Sequence, residues 1–130
     1  MEKALNILHF MDRLGVRADS SIYVHLLQGC VKMKAFLEGR RVHAHMIKTG
    51  FEPDRYLENR LVNMYEKCGV LVDARKLFDK STQRDIVSWN AIIVGYVQHG
   101  YGKEALKLFR KMQEGDMKPN YITFVGVLKQ

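Results

Sequence analysis

An internal repeat constrains this 130-residue chain more than any other feature of its sequence. When residues 55–80 are shifted forward by 31 positions, Asn59 falls on Asn90 and the apolar positions around them coincide. A shift of 66 positions superimposes the only two prolines, Pro53 and Pro119. Periods of this length are typical of stacked copies of one small unit. The sequence therefore predicts an array of repeats and not one compact domain.

The repeat divides the chain into five segments, which are residues 1–19, 20–54, 55–85, 86–120 and 121–130. The three full units are 35, 31 and 35 residues long, whereas the first segment matches the second half of a unit and the last matches its beginning. Within residues 86–120, apolar side chains recur at helical spacing in two runs that are separated by Gly100-Tyr101-Gly102. Each full unit is therefore expected to form two helices.

A single helical hairpin cannot bury both of its apolar faces, whereas stacked hairpins share one continuous core. We therefore predict an all-α fold, an α-solenoid of helix-turn-helix repeats. Small residues share one position early in the second helix of each unit, at Ala4, Gly39, Ala74 and Ala105. A small side chain at that position predicts a close approach between packed helices.

Several other classes of protein do not fit the sequence. The two cysteines, Cys30 and Cys68, cannot form a multi-bridge secreted framework and have no partner at zinc or nucleophile spacing. His43 and His45 diverge on a helix and do not readily share a metal. Nucleotide-binding glycine loops and deaminase signatures are absent, so we expect no enzyme, no metal and no cofactor in this stretch. The apolar runs are too short to cross a membrane.

The positive charge is distributed along the chain. The net charge is +7, and each of the three full units contributes +2. An even distribution of this kind favours an anionic partner that runs along the array, such as a single strand of nucleic acid.

Six stretches of the chain are similar to a known family: VHAHMIKTGFEPD, NRLVNMYEKCG, DARKLFD, VSWNAIIVGYVQHG, EALKLFRKMQ and MKPN. They resemble the pentatricopeptide repeat proteins of land plants, in the subclass that alternates P, L and S repeats. The resemblance makes residues 20–54 an L repeat, 55–85 an S repeat and 86–120 a P repeat, with residues 1–19 the second half of a P repeat and 121–130 the first helix of a further L repeat. It implies a right-handed α-solenoid that binds single-stranded RNA at one base per repeat.

The resemblance also implies a role for particular residues, because in this family the fifth and last residues of a repeat read the base. Matched by position, the reading pairs are Val24 with Asp54, Asn59 with Asp85, and Asn90 with Asn120. The second pair implies uracil, and the third implies a pyrimidine, with cytosine ahead of uracil. Valine has no hydrogen-bonding group, so the first pair is expected to select weakly.

Other residues match the positions at which the family packs on the base plane or contacts phosphate. The base-packing residues are Ser21, Tyr56, Val87 and Ile122, of which the last three are placed to hold two bases between them. Lys32 and Lys67 share a late position in the first helix that contacts phosphate in the family. Since N-terminal repeats of the family face the 5′ end, the expected RNA reads any base, then U, then C or U.

Several of these residues have a simpler explanation as well. Asp85 and Asn120 stand where a side chain caps the helix that follows, and one residue can serve both purposes. Tyr56, taken by itself, is better explained as part of the core. Lys32 and Lys67 are explained as well by solvated side chains.

Two functional hypotheses follow. The first is the RNA-targeting part of an organellar editing or processing factor, in a mitochondrion or chloroplast, although the first residues lack the composition of a transit peptide. The second is a scaffold that binds other proteins, such as further editing factors, or a second copy of the chain. It rests on the apolar residues Tyr121, Phe124, Val127 and Leu128, for which the chain contains no second helix.

One segment departs from the family pattern. Ser81-Thr82 stands where the family has Met-Pro, so residues 79–84 are an expected weak point of the fold.

Overall fold

The chain folds into helices joined by short turns. The computed structural model describes the backbone of residues 2–129 and the side chains of residues 5–129, so the side chain of Ala4 lies outside the described residues. The helices are α1 (Glu2–Leu14), α2 (Ser20–Met33), α3 (Phe36–Lys48), α4 (Arg55–Lys67), α5 (Leu71–Lys80), α6 (Ile86–Gln98), α7 (Gly102–Glu114) and α8 (Tyr121–Leu128). The described residues contain no strand, and the predicted all-α fold is confirmed.

The helices are arranged as a stack of hairpins. The first helices of successive units, α2, α4, α6 and α8, pack side by side in chain order. Helices α3, α5 and α7 each pack on the first helix of their own unit and on the first helix of the next. Each unit is thereby joined to its neighbour through two helices, which gives the α-solenoid that the repeats predict.

The first helices begin at capping side chains that the second helices lack. Asp19, Asp54, Asp85 and Asn120 each accept a hydrogen bond from the backbone N–H three residues later, at 2.9 to 3.2 Å. Helices α3, α5 and α7 have no side-chain cap. A cap of this kind satisfies a backbone donor that the helix itself cannot. It also places the last residue of one unit at the first turn of the next.

The small residues near the start of the second helices are buried, as predicted. Gly39 is buried, and a Cβ atom there would lie 2.6 Å from Sδ of Met64 in the next unit. Ala74 and Ala105 are completely buried. These three positions let the helices of neighbouring hairpins approach closely around the core, which includes fully buried Phe78.

The segment after α5 is held by side chains in place of the apolar anchor that it lacks. The guanidinium of Arg84 lies over the rings of Phe78 and Trp89, 4.8 and 5.7 Å from their centroids. The Ser81 hydroxyl donates to a carboxylate oxygen of Glu58 at 3.1 Å. Cation–π contacts and a hydrogen bond therefore connect residues 81–84 to the body of the repeat.

The two histidines of α3 take part in packing between units. Nδ1 of His43 lies 2.8 Å from the hydroxyl of Tyr65, and burial lowers the pKa of His43. The His45 ring lies between the Tyr23 hydroxyl, at 2.9 Å, and the Asp12 carboxylate, at 2.9 Å. The rings thus point to different partners.

None of the described helices combines the length and apolar character that crossing a membrane requires.

Candidate nucleic-acid interface

The first helices form a face that carries a groove at each helix junction. The largest, between α4 and α6, has a volume of about 430 Å³. It is lined by Arg55, Tyr56, Asn59, Arg60, Asn63, Asp85, Val87 and Ala91. The structure thus brings the predicted reading pair Asn59 and Asp85 together with the predicted base-packing residues Tyr56 and Val87.

The Asn59 amide is held on both sides at the edge of this groove. Its Nδ2 donates to Oδ1 of Asp85 at 3.3 Å, and its Oδ1 accepts from the hydroxyl of Ser88 at 2.7 Å. Asp85 caps α6 and Ser88 completes a capping box with it. The amide, the carboxylate and the hydroxyl form one connected cluster, although Asn59 and Asp85 are 26 residues apart in the chain.

The Asp85 carboxylate is stabilised in its ionised form. Partial burial raises the pKa of Asp85. Hydrogen bonds from the backbone and hydroxyl of Ser88 and from the Asn59 amide, together with the positive charge of Arg55, lower the pKa by more than burial raises it. The net result is a pKa below the ordinary aspartate value. Nε of Arg55 lies 3.4 Å from Oδ2 of Asp85. At neutral pH this site therefore presents a carboxylate.

The pair Asn90 and Asn120 makes the same hydrogen bonds as Asn59 and Asp85 but is more deeply buried at its amide. Nδ2 of Asn90 donates to Oδ1 of Asn120 at 3.0 Å, and the hydroxyl of Thr123 donates a hydrogen bond to Oδ1 of Asn90. Asn120 and Thr123 form the capping box of α8. Asn90 is only 7% exposed. The nearby groove between α6 and α8, of about 200 Å³, is lined by other residues, among them Ile122, so this amide is less accessible than Asn59.

The first predicted pair, Val24 and Asp54, is not connected in this way. Asp54 caps α4 by accepting from the backbone N–H of Leu57 at 2.9 Å, and Val24 has no polar group to offer it. Leu57 is completely buried. This unit therefore has the capping residue of the other two without an amide for it to hold.

The predicted base-packing residues are all exposed. The exposed fractions of Tyr56, Val87 and Ile122 are 53%, 56% and 50%. Ser21 is exposed as well, and its carbonyl accepts from Nδ1 of His25 at 2.8 Å. Tyr56 therefore belongs to the groove and not to the core, in contrast to the interpretation of that residue taken by itself.

The two lysines with predicted phosphate contacts lie in different surroundings. Lys32 lines a smaller groove of about 150 Å³ between α2 and α4. Nζ of Lys67 lies 3.9 Å from a carboxylate oxygen of Glu66, which is buried. Lys32 is therefore the freer of the two cations at this surface.

Four polar residues of this face were not identified from the sequence. Arg60 lies over the ring of Tyr56, with its guanidinium 5.0 Å from the centroid, and Arg55 pairs with Asp85. Ser88 and Thr123 hold the two amides. The spacing of a capping box, with a hydroxyl three residues after Asp85 and after Asn120, is the signal that identifies these two hydroxyls. No comparable signal marks the arginines.

Comparison with known proteins finds relatives along most of the chain. A model described as the PPR repeat family matches residues 84–130, and one described as a pentatricopeptide repeat domain matches residues 6–67. A mitochondrial pentatricopeptide repeat-containing protein of Arabidopsis thaliana is 48% identical over 104 residues, which are 80% of this chain and 14% of that protein. A second, also mitochondrial, is 40% identical over 128 residues, which are 98% of this chain and 14% of that protein. The chain thus spans about a seventh of the length of either relative.

Solved structures share the same fold. The crystal structure of the maize pentatricopeptide repeat protein PPR10 superimposes with a TM-score of 0.78 and 21% identity, over 98% of this chain and 19% of that one. PPR10 in complex with an 18-nucleotide psaJ RNA element gives a TM-score of 0.80 and 25% identity, over 93% of this chain and 18% of that one. With both family models and these relatives in agreement, the chain belongs to the pentatricopeptide repeat family.

Proposed function

We propose that this chain is a sequence-reading section of a longer protein that binds single-stranded RNA at one base per repeat. The observation that carries the proposal is the cluster of Asn59 and Asp85 at an open groove whose lining includes Tyr56 and Val87. The exposed apolar side chains offer packing surfaces for a base, and the amide offers hydrogen bonds to its edge. The RNA complex of PPR10, a structural relative, supports the same conclusion.

The division into L, S and P repeats is part of this proposal. Under it, residues 20–54, 55–85 and 86–120 read successive bases, and the preferred RNA is any base, then U, then C or U. Alternating unit lengths of 35, 31 and 35 residues support the assignment. The full protein is then an organellar RNA editing or processing factor. Relatives that are named as mitochondrial proteins support a mitochondrial location, with the chloroplast as the alternative organelle.

Binding by these residues alone is expected to be weak. At about 1 to 3 kcal/mol per stacked base, two or three bases contribute roughly 2 to 9 kcal/mol before the cost of association. A micromolar dissociation constant needs about 8 kcal/mol. We therefore expect dissociation constants from the high micromolar to the millimolar range. The repeats themselves are a binding module and not an enzyme.

A titration that compares bases tests the proposal. Short RNAs that differ only opposite residues 55–85 are added to the 15N-labelled chain, and dissociation constants are taken from the shifts of backbone amide resonances. We expect uracil to bind more tightly than the other bases. Asn59→Thr removes the amide that contacts Asp85 and should abolish that preference.

The matched control is Asn63→Thr, which makes the same chemical change elsewhere in the same groove. This control should leave the preference for uracil intact. Equal affinity for all four bases in the unsubstituted chain, or an unchanged preference in Asn59→Thr, contradicts the assignment of Asn59 and Asp85.

A protein-binding scaffold is the second candidate, and one observation favours it. Tyr121 and Leu128 of α8 are 78% and 81% exposed, and Phe124 beside them is 48% exposed. An apolar face of this kind is typical of a surface that another helix covers. Sedimentation of the chain with and without residues 121–130 distinguishes the two candidates. A dimer that depends on these residues and ignores RNA supports the scaffold, whereas a monomer at micromolar concentration counts against it.

A further inference from the structure

Two hydroxyl groups occupy equivalent places beside the reading amides. Ser88 and Thr123 are each the third residue of the first helix in the unit that follows the amide. The hydroxyl of Ser88 donates to Oδ1 of Asn59 at 2.7 Å, and that of Thr123 donates to Oδ1 of Asn90. Ser88 is 6% exposed and Thr123 is completely buried. Their position behind the amides keeps them from contacting a base directly.

The chemistry of the neighbours determines which way the Asn59 amide faces. A carboxylate accepts hydrogen bonds and cannot donate them, so only Nδ2 of Asn59 can face Asp85. The oxygen of the amide must then face Ser88. The Ser88 oxygen already accepts from the backbone N–H of Asp85 at 3.2 Å, so its proton is directed away from that donor. Two acceptors lie on the other side, the amide oxygen of Asn59 at 2.7 Å and Oδ1 of Asp85 at 2.9 Å, and the amide oxygen is the nearer. This orientation follows from the pattern of donors and acceptors around the amide.

The same reasoning applies to the second amide. Oδ1 of Asn120 is the group that caps α8, where it accepts from the backbone N–H of Thr123 at 3.2 Å. An oxygen held in that way requires a donor from Asn90, which is Nδ2. The oxygen of Asn90 then accepts from Thr123. Capping of one helix thus determines the orientation of a side chain on the preceding first helix.

The hydroxyl supplies the shorter of the two contacts at the more accessible site. The Ser88 contact to Asn59 measures 2.7 Å, whereas the Asp85 contact measures 3.3 Å. With both contacts in place, one N–H and one lone pair of the Asn59 amide remain for a base, and the positions of this donor and this acceptor are fixed. Cytosine and uracil present opposite groups at their exocyclic position, a donor N4–H₂ and an acceptor O4. An amide whose donor and acceptor are fixed in position therefore discriminates between the two bases, and an amide that turns freely does not.

The remaining full unit serves as an internal comparison. Its reading position is Val24, and the third residue of the following first helix is Leu57, which has no hydroxyl. Amide and hydroxyl thus occur together in two units and are absent together in the other. We propose that Ser88 and Thr123 are positioning residues for base selection, and that each hydroxyl determines which edge of the preceding unit's amide faces the RNA. This inference rests on the proposed RNA-binding function.

Substitution of Ser88 tests the inference in the 130-residue chain. In Ser88→Ala the ratio of dissociation constants for cytosine and uracil opposite residues 55–85 should fall about fivefold, the factor expected for loss of one net hydrogen bond. Ser88→Thr keeps the hydroxyl and should keep the ratio. The ratio opposite residues 86–120 should stay unchanged in both variants. Base choice is the essential measurement, because a purely structural role would weaken binding of all bases alike.

Two further variants separate positioning from general loss of stability. Asp19→Ala removes the cap of α2, which has no reading amide beside it among the described residues, and should leave base choice intact. Thr123→Val keeps the shape of a buried side chain and removes only its hydroxyl, so it should reduce selection opposite residues 86–120 even if Ser88→Ala fails to fold.

The outcomes distinguish this inference from the function on which it rests. If the unsubstituted chain prefers uracil and both Ser88→Ala and Thr123→Val retain full selectivity, the positioning role is refuted and RNA reading stands. If the unsubstituted chain binds no RNA, both conclusions are overturned. Loss of selectivity in Ser88→Thr as well as Ser88→Ala also refutes the positioning role.

Discussion

The proposed reading clusters at residues 55–85 and 86–120 share one pattern of hydrogen bonds and differ in exposure and charge. In the first, Asn59 borders a groove of about 430 Å³ and contacts the ionised Asp85, which Arg55 also approaches. In the second, Asn90 is 7% exposed and contacts the neutral amide of Asn120. The comparison teaches that capping creates the cluster, whereas its neighbours determine how much of it a ligand can contact.

The largest expected difference concerns folding stability. Asn90→Ala removes one of the two acceptors near the buried Thr123 hydroxyl and the amide that donates to Asn120, and losing hydrogen bonds at a buried site costs about 1 to 3 kcal/mol. Asn59→Ala should cost less, about 1 kcal/mol, because water reaches that cluster more easily. Urea unfolding followed by circular dichroism measures both values at neutral pH. Equal losses would mean that the two clusters do not differ in burial in solution.

A reciprocal exchange of the last residues tests whether charge causes the proposed difference in base choice. Asp85→Asn should move the preference opposite residues 55–85 from uracil toward cytosine, and Asn120→Asp should move the other preference toward uracil. Each substitution is expected to change the ratio of dissociation constants for cytosine and uracil about fivefold, which is the factor that one net hydrogen bond contributes. RNA titrations of the two variants provide the measurement.

The unit of residues 20–54 supplies the control for this exchange. Asp54→Asn makes the same change of charge at the same position of a unit that has Val24 in place of an amide. It should alter affinity slightly and base choice not at all. A shift in base choice in this variant would show that charge acts at a distance and not through the amide.

The smallest expected effect comes from Glu66, a buried acid in the interface of α4 and α6. Glu66 is 3% exposed, and a Cβ atom on Gly95 of α6 would lie 2.5 Å from its Cγ. Burial raises the pKa of Glu66, although the charges of Lys67 and His99 oppose the shift. The corresponding close approach between α6 and α8 places Gly126 against Val94, which does not ionise. The first interface should therefore respond to pH in a way that the second does not.

The sign of that response follows from the raised pKa. The folded chain holds a proton on Glu66 more tightly than the unfolded chain does, so stability falls as pH rises above the ordinary glutamate value of about 4.3. Glu66→Gln should raise the Tm by about 2 to 4 °C at pH 7 and give a smaller gain near pH 4. Glu52→Gln, in an exposed turn, is the control and should change nothing. A lower Tm at pH 7 for Glu66→Gln would contradict the prediction.

The architecture could be predicted from the sequence because the pattern that specifies a hairpin recurs in every unit. Helical spacing, turns and small residues recur in each unit, so the hairpins and the burial of Gly39, Ala74 and Ala105 could be inferred before any packing was known. Capping by Asp85 and Asn120 was predictable for the same reason, since it depends on residues three positions apart. Local rules, applied unit by unit, were enough for this part of the fold.

The accessibility of the proposed reading residues was less predictable. Nothing in the immediate neighbours of Asn59 and Asn90 indicates that one borders an open groove and the other is buried. That difference depends on packing between first helices that lie about 30 residues apart in the chain. The arginines beside Tyr56 and Asp85 were missed because a positive charge on a helix surface has no distinctive spacing.

The cap at the start of each first helix has a consequence for engineering such arrays. The hydrogen bonds around Asn59 end at Ser88, three residues beyond the last residue of its unit. A cassette that exchanges residues 55–85 alone would transplant the amide and the cap but leave the hydroxyl to the recipient sequence. A cassette that runs from residue 55 to residue 88 would keep all three together, along with Arg55 and Tyr56 of the same groove. Modules cut at that point should transfer their base preference more faithfully than modules cut at the repeat boundary.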